Sequence, residues 1–585
     1  MALPYLRRLL PELRPHRRRL GLGLLCLAAT TAFSVANPWV LRRAIDDLTV
    51  QITHGKLWVY AGLVLLLVSL EGVFRYQMRM ILIGISRDVE YALRNRVFHQ
   101  MTRLPPAYYQ RSRIGELMSR ASNDMSAVRM VLGPGIMYTA NTIATFGGAV
   151  SLMAAISPRL TFLALLPLAL VSWLVRHYGR QIQQRYEEVQ AQLADMNALV
   201  QENLAGARVV RAYAQEAHEE ARFAAANEAY VEKNRRLIHI TGIVYPGIQF
   251  LMGLGSLTVL WLGGRMVVAG EVTLGSFVAF GVYLAMLNWP MIALGWVVNL
   301  FERGEASSMR IHAILDAPVE IRDEGPEDVR EIRGAVEFRR MSFAYGDGPA
   351  VLHGIDLAVP AGATVAVVGP TGSGKSTLVS LLARLHDAPP GTLLVDGHDV
   401  RRIPLDVLRG AVGFVPQESF LFSDTVLGNV AFGVRGEDAA ARAERAAATA
   451  QLAKDVRDFP DGFATAVGER GITLSGGQKQ RAALARAIAV EPRILVLDDA
   501  LSAVDTETEE RILEGLREIR RGRTTFLVSH RVSTVKDADL IVVLRDGRLV
   551  ERGTHDELVA LGGFYADLHR RQLLEEEIET GEDAA

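Results

Sequence analysis

The 585-residue chain has a single cysteine, Cys26. That excludes an intrachain disulfide and a cysteine-rich metal site. It also has almost no net charge: 64 Lys and Arg stand against 65 Asp and Glu, leaving −1. This balance argues against a nucleic-acid binder and against an acidic disordered chain. Above all, long stretches of the first half lack charge altogether. No Asp, Glu, Lys or Arg occurs in Leu20–Leu41, Leu57–Leu70, Met130–Pro158, Leu160–Val175, Leu237–Gly264 or Val272–Phe301.

A membrane-spanning helix needs about 20 mostly apolar residues. Four of the six runs clear that length alone. The second gains it by continuing past Glu71, and the fourth by running on to Tyr178. Buried soluble helices fit poorly, because six such segments would leave no polar face for water. Leu357–Gly374 is also uncharged, but Pro360, Gly362, Pro370 and Gly372 interrupt it. The runs therefore predict an all-α, six-helix transmembrane domain over residues 20–317. Residues 1–19 hold arginines at 7, 8, 14, 17, 18 and 19. They read as an interfacial elbow and a cytoplasmic anchor under the positive-inside rule. The apolar run that follows is longer than a signal core and has no clean cleavage site after it. Six spans then return the chain to the cytoplasm, so both termini are expected there. Asp46–Lys56 is expected to be an external loop. No signal or transit segment is evident, and the expected location is a prokaryotic plasma membrane.

The helices should outrun the bilayer. No proline lies between Lys56 and Pro105. One helix over Leu57–Leu104 would be roughly 70 Å long, against a hydrocarbon core of about 30 Å. Its second half, Arg87–Arg103, is charged. The same holds for Arg176–Arg236. Two intracellular helical excursions are expected, between spans 2 and 3 and between spans 4 and 5.

Residues 318–335 read as a linker. From 336 to 573, short β-rich runs alternate with helical patterns, the signature of an α/β domain. The acidic tail 574–585 is expected to be disordered. The sequence Gly369-Pro-Thr371-Gly372-Ser373-Gly374-Lys375-Ser376-Thr377 follows the strand-like run Thr364–Val368 and opens a helix, Ser376–Leu385. Glycines let backbone N–H groups curl around phosphate oxygens, and the helix N-terminus adds its dipole. Lys375 suits the β- and γ-phosphates, and Ser376 offers a hydroxyl to Mg²⁺. A second apolar run, Ile494–Leu497, ends in Asp498 and Asp499, which places Asp498 as a further Mg²⁺ ligand.

Leu474-Ser475-Gly476-Gly477-Gln478 decides the resemblance. With it, the chain resembles the half-transporters of the ATP-binding cassette (ABC) exporter family along its whole length. The resemblance implies an α/β phosphate-loop nucleotide-binding domain behind a type I exporter-like membrane domain, with ATP and Mg²⁺ as cofactors. It implies that Tyr345 stacks on adenine and that Gln417 touches the metal. His530 matches the switch histidine, Asp505 the D-loop aspartate, and Val467–Arg470 the short loop before the signature. Residues 115–120 and 206–211 look like coupling regions, with the coupling segments near 115–124 and 201–216. In this family each ATP is sandwiched between one chain's phosphate loop and the other chain's signature, here Leu474–Gln478.

One position departs from the pattern. Where most members carry a catalytic glutamate after the strand aspartate, this chain has Asp499. Aspartate is one methylene shorter, and general-base help depends on reach. Slow hydrolysis at this chain's own site is expected, in a heterodimer whose partner site uses the intact signature; a homodimer is the alternative. The leading cargo is hydrophobic or amphipathic compounds. Lipid or peptide translocation is a second reading, and a nucleotide-gated channel or regulatory ATPase a third. Phe146, Trp173, Phe280, Tyr283 and Trp296 are among the aromatics offered as a cargo lining, and Glu71 with Arg75 as a polar pair within a span. The expected partners are a second half-transporter, the bilayer and the cargo, with no nucleic acid.

Overall fold

The structure is a computed structural model. It describes residues 3–582 except 52, 324, 326, 469, 470 and 472. Glu469 and Arg470, assigned above to the loop before the signature, therefore lie outside the described residues. The chain divides into two compact units, one of residues 1–102 and 114–317, the other of residues 103–113 and 318–585.

The first unit is helical. Six helices among the described residues are long and apolar enough to cross a membrane: Pro4–Val50, His54–Arg103, Ile114–Ile156, Pro158–Ala205, Glu216–Val268 and Leu274–Leu315. The 50 residues of His54–Arg103 make a rod of about 75 Å. Its apolar half fits a bilayer and its arginine-rich half must extend beyond it. Pro158–Ala205 and Glu216–Thr258 form the second long excursion, joined by the short helix Ala207–Ala212. Pro158 starts its helix at a position where the missing N–H is harmless, and the Ser157 hydroxyl accepts from Leu160 N.

The expected external loop Asp46–Lys56 is shorter than the sequence suggested. Helix continues to Val50 and resumes at His54. Asp46 stays helical because its carboxylate has work to do there. It accepts from Gly275 N at 2.8 Å and from the Thr273 hydroxyl at 2.8 Å, tying the end of the first span to the start of Leu274–Met286. A second correction concerns aromatics. Phe280 and Tyr283 are fully buried in the helix core, and Tyr283 donates to Val35 O at 2.9 Å. They are packing residues rather than cargo lining. Glu71 and Arg75 do form an ion pair one turn apart.

A third correction concerns coupling. Ile114–Asp124 packs with the membrane unit, as a helix that widens into a π turn at Arg120–Asp124. It is residues 103–113, with the short helix Pro106–Arg111, that cluster with the second unit. A side chain added at Gly346 would meet the Arg111 guanidinium at 2.5 Å. Two neighbouring prolines within this segment, Pro105 and Pro106, stop the long helix from continuing past Arg103.

The second unit is α/β, with its core on both faces of a six-stranded sheet. The strands are β1 (Val336–Ala344), β2 (Ala350–Val359), β3 (Thr364–Val368), β4 (Leu393–Val395), β5 (His398–Asp399), β6 (Val412–Val415), β7 (Ile494–Asp498), β8 (Thr524–Val528), β9 (Leu540–Arg545) and β10 (Arg548–Gly553). The main sheet runs β10-β9-β3-β8-β7-β6, and a smaller antiparallel sheet runs β2-β1-β4-β5. Strands β3, β6, β7, β8 and β9 are parallel. β3, β7 and β8 are buried at every residue, as expected for a sheet covered on both faces. Part of the tail expected to be disordered is helical: helix Phe564–Glu582 runs through residues 574–582, where Leu574 and the glutamates that follow are strong helix formers that extend an existing helix at little cost, and residues 583–585 lie outside the described residues.

Candidate nucleotide site

Sheet register places the site. β3 pairs Val367 with Val528 of β8, and β7 pairs Asp498 with the same Val528. The ends of three buried parallel strands thus align. The loops leaving them start from one edge, where open α/β sheets bind ligands. The phosphate loop leaves β3, Asp499 follows β7, and His530 follows β8. A cleft of about 320 Å³ at this edge is lined by Thr371, Gly372, Gly374, Lys375, Ser376 and Thr377, and by Gln417, Asp498, Asp499 and His530.

The loop geometry explains its glycines. Gly374 has φ +99°, and a side chain there would press on Leu352 at 2.8 Å. At Gly369 an added Cβ would lie 2.0 Å from Leu544 O. Lys375 is buried and donates to Gly369 O and Pro370 O at 2.9 Å each. Burial pulls its ammonium below the usual lysine range, partly offset by Asp498 and Asp499. The Ser373 hydroxyl is buried with no hydrogen-bond partner among the described residues. An orphan of this kind is costly unless a ligand supplies the acceptor, so a phosphate oxygen fits the loop.

The donor set also fits a hard cation. The Ser376 hydroxyl donates to Asp498 Oδ1 at 3.1 Å, and the Gln417 side chain lines the same cleft. Mg²⁺ takes one or two such oxygens and completes its shell with phosphate and water. Burial pushes the Asp498 carboxyl above the usual range, opposed by the Ser376 hydrogen bond. Asp499 sits beside it in the left-handed region, at φ +50°, with its N–H donated to Val528 O at 3.0 Å. Aspartate tolerates that backbone better than most residues.

Tyr345 is placed from the smaller sheet. Its hydroxyl and that of Thr377 are 2.9 Å apart. Its ring meets Phe343 and His386 edge-on, both at 5.0 Å between centroids. His386 was not singled out from sequence, since a lone histidine after a phosphate-loop helix carries no pattern. The helix itself is shorter than expected. Lys375–Ser380 is helical and turns follow to Arg384.

Leu474–Gln478 does not line this cleft. Ser475 caps helix Gly476–Ala489, accepting from Gln478 N, while the Gln478 side chain accepts from Ser475 N at 3.0 Å. Ser475 and Gly476 are exposed. Asp505 caps the next helix, accepting from Thr508 N at 2.9 Å. Gln480, also missed from sequence, links the two: it donates to the Ser502 hydroxyl and accepts from Ala503 N, both at 2.9 Å.

Comparison with known proteins gives the family. Residues 20–291 match the ABC transporter transmembrane region and residues 352–502 match the ABC transporter domain. The chain belongs to the ABC transporter family. It is 37 % identical to the probable multidrug resistance ABC transporter ATP-binding/permease protein YheI of Bacillus subtilis, covering 95 % of each chain. It is 34 % identical to an ATP-dependent lipid A-core flippase of Syntrophus aciditrophicus, covering 98 % of this chain and 95 % of that one. Its fold matches a bacterial Atm1-family ABC exporter solved with ATP bound, at TM-score 0.78 and 30 % identity, over 95 % of this chain and 98 % of that one. This ABC exporter is thus a multi-pass membrane protein with an ATP-binding domain that couples hydrolysis to transport.

Proposed function

We propose that this chain is one half of a heterodimeric exporter of hydrophobic or amphipathic compounds, in a prokaryotic plasma membrane with both termini cytoplasmic. The observation that carries it is the pairing of Asp499 in the nucleotide cleft with a signature, Leu474–Gln478, that lies outside it and leaves Ser475 and Gly476 exposed. A cleft with loop, metal oxygens and switch histidine but no signature is half a site. In this reading Lys375, Ser373 and the loop N–H groups hold the phosphates, and Tyr345 stacks on adenine. Ser376, Asp498 and Gln417 hold Mg²⁺, which neutralises phosphate charge. Asp499 and His530 orient the attacking water, and Asp499 does so poorly because its carboxylate is short. The chain's own signature completes the partner's site. ATP binding then shifts the population toward the closed dimer in proportion to its preference for that state.

The cargo class is supported by the multidrug names of relatives and by apolar surface on the spans, where Phe146, Trp173 and Trp296 are exposed on the single chain. A homodimeric lipid flippase is the second reading, supported by the flippase relative. Proteoliposomes containing the complex isolated from its native membrane test both. ATP-dependent accumulation of a lipophilic dye, with a second half-transporter in the complex, is expected. Lipid translocation by a homodimer would select the second reading. ATP-dependent ion conductance with no cargo movement would overturn both.

A further inference from the structure

The first 19 residues carry six arginines, and they divide into two classes. Arg8 donates to both carboxylate oxygens of Asp316, at 2.7 and 2.8 Å. Arg19 donates to Asp88 at 2.7 Å. Arg7, Arg14, Arg17 and Arg18 are exposed and have no acidic partner among the described residues. Arg17 and Arg18 open the helix whose charge-free run starts at Leu20. They therefore sit at the mouth of a membrane span, where the headgroups are. Beside them Leu6, Leu9 and Leu13 are buried against the protein, while Leu10 is left 57 % exposed.

This short segment is also latched to the sixth span. The Glu305 carboxylate accepts from Tyr5 N and Leu6 N, both at 2.9 Å. The Ser308 hydroxyl donates to Tyr5 O at 3.2 Å, and Arg8 holds Asp316. Glu305, Ser308 and Asp316 all belong to the last turns of helix Asn288–Leu315 and its cap. The chain enters the linker to the ATPase unit two residues later.

We propose that Arg7, Arg14, Arg17 and Arg18 form a binding surface for the headgroups of acidic phospholipids, and that its occupancy is transmitted through Glu305 to the cytoplasmic end of the sixth span. Arginine clusters just cytoplasmic of a span attract anionic lipid within a Debye length. An exposed leucine among them adds an apolar foot in the interface. Acidic lipid steadies the elbow, and the elbow steadies the helix end that leads to the ATPase. The proposal rests on the cytoplasmic placement of the N-terminus and not on the identity of the cargo or partner.

The test uses the full-length protein in neutral detergent, with phosphatidylglycerol as probe, phosphatidylcholine as control and glycerol phosphate as the free headgroup. Retained lipid is counted by native mass spectrometry. Preferential retention of phosphatidylglycerol is expected, falling by about fivefold for each arginine changed to Gln. The variant with lysine at all four positions should retain the preference, which guards against a folding defect. Glu305→Gln should keep the lipid preference yet lose the stimulation of ATPase by phosphatidylglycerol, measured in nanodiscs with the assembled exporter. Equal retention by wild type and the four-Gln variant would overturn the surface. Displacement of the lipid by glycerol phosphate at equal concentration, or tighter binding of a DNA oligonucleotide, would overturn the lipid assignment. Undiminished lipid stimulation in Glu305→Gln would overturn the transmission.

Discussion

Lengthening Asp499 by one methylene is the sharpest test of the proposed site. Asp499→Glu moves the carboxylate outward by about 1.5 Å, one C–C bond. A misplacement of about 1 Å can cost 10²-fold in rate, and general-base help is typically worth 10²–10⁴-fold. Restoring reach should therefore raise turnover at this chain's own site by about 10²-fold, or about 2.7 kcal/mol of barrier. The substitution has a cost, because residue 499 sits at φ +50°. A longer side chain in that region is disfavoured by roughly 1–2 kcal/mol, which lowers stability but remains smaller than the catalytic gain. The assay is phosphate release at saturating Mg²⁺ and ATP by the assembled exporter, with the partner's site silenced. A melting curve should fall by a few degrees in parallel. Unchanged turnover in a variant that binds ATP normally would refute the argument from reach. So would fast turnover by the wild-type site.

Three further outcomes are expected. Burial raises the Asp498 carboxyl above its unfolded value. Its contribution to stability is therefore present below the unfolded carboxylate range and lost as pH rises through the folded value. At neutral pH without nucleotide, Asp498→Asn should melt higher than wild type, yet lose the extra stabilisation given by Mg²⁺ with ATP; both are read by differential scanning fluorimetry. Gln480→Ala breaks the two hydrogen bonds that join the buried Gln480 side chain to Ser502 and Ala503. It should cost about 1–3 kcal/mol and slow ATPase, seen in denaturant titration and phosphate release. His386→Ala removes the edge contact that orients Tyr345. It should weaken ATP affinity severalfold with kcat unchanged, while His386→Tyr retains affinity, measured by a fluorescent ATP analogue and by kinetics.

Much of this architecture was legible before any coordinates. The absence of charge over six runs is a direct statement about solvent, and all six became long apolar helices. The rod His54–Arg103 followed from the lack of proline. β3 and β7 fell on the runs Thr364–Val368 and Ile494–Asp498 because buried parallel strands are uniformly apolar. Other features were not legible because they depend on what packs against them. Asp46 looked like a loop residue until Gly275 and Thr273 supplied its partners. Phe280 and Tyr283 looked like cargo aromatics until their burial was known. The segment 103–113 reads as an ordinary break between helices, and only folding reveals that it packs with the ATPase unit.

By itself, then, the sequence determined the spans, the excursions, the phosphate loop and the signature. Each is a local property of solvent preference or of backbone freedom at glycine. Tertiary structure alone decided which distant residues meet. Register across β3, β8 and β7 brings Lys375, Asp498 and His530 to one edge, while leaving Leu474–Gln478 outside the cleft. Such meetings depend on strand order and helix crossings, and those are set by burial summed over the whole unit rather than by any residue's own preference.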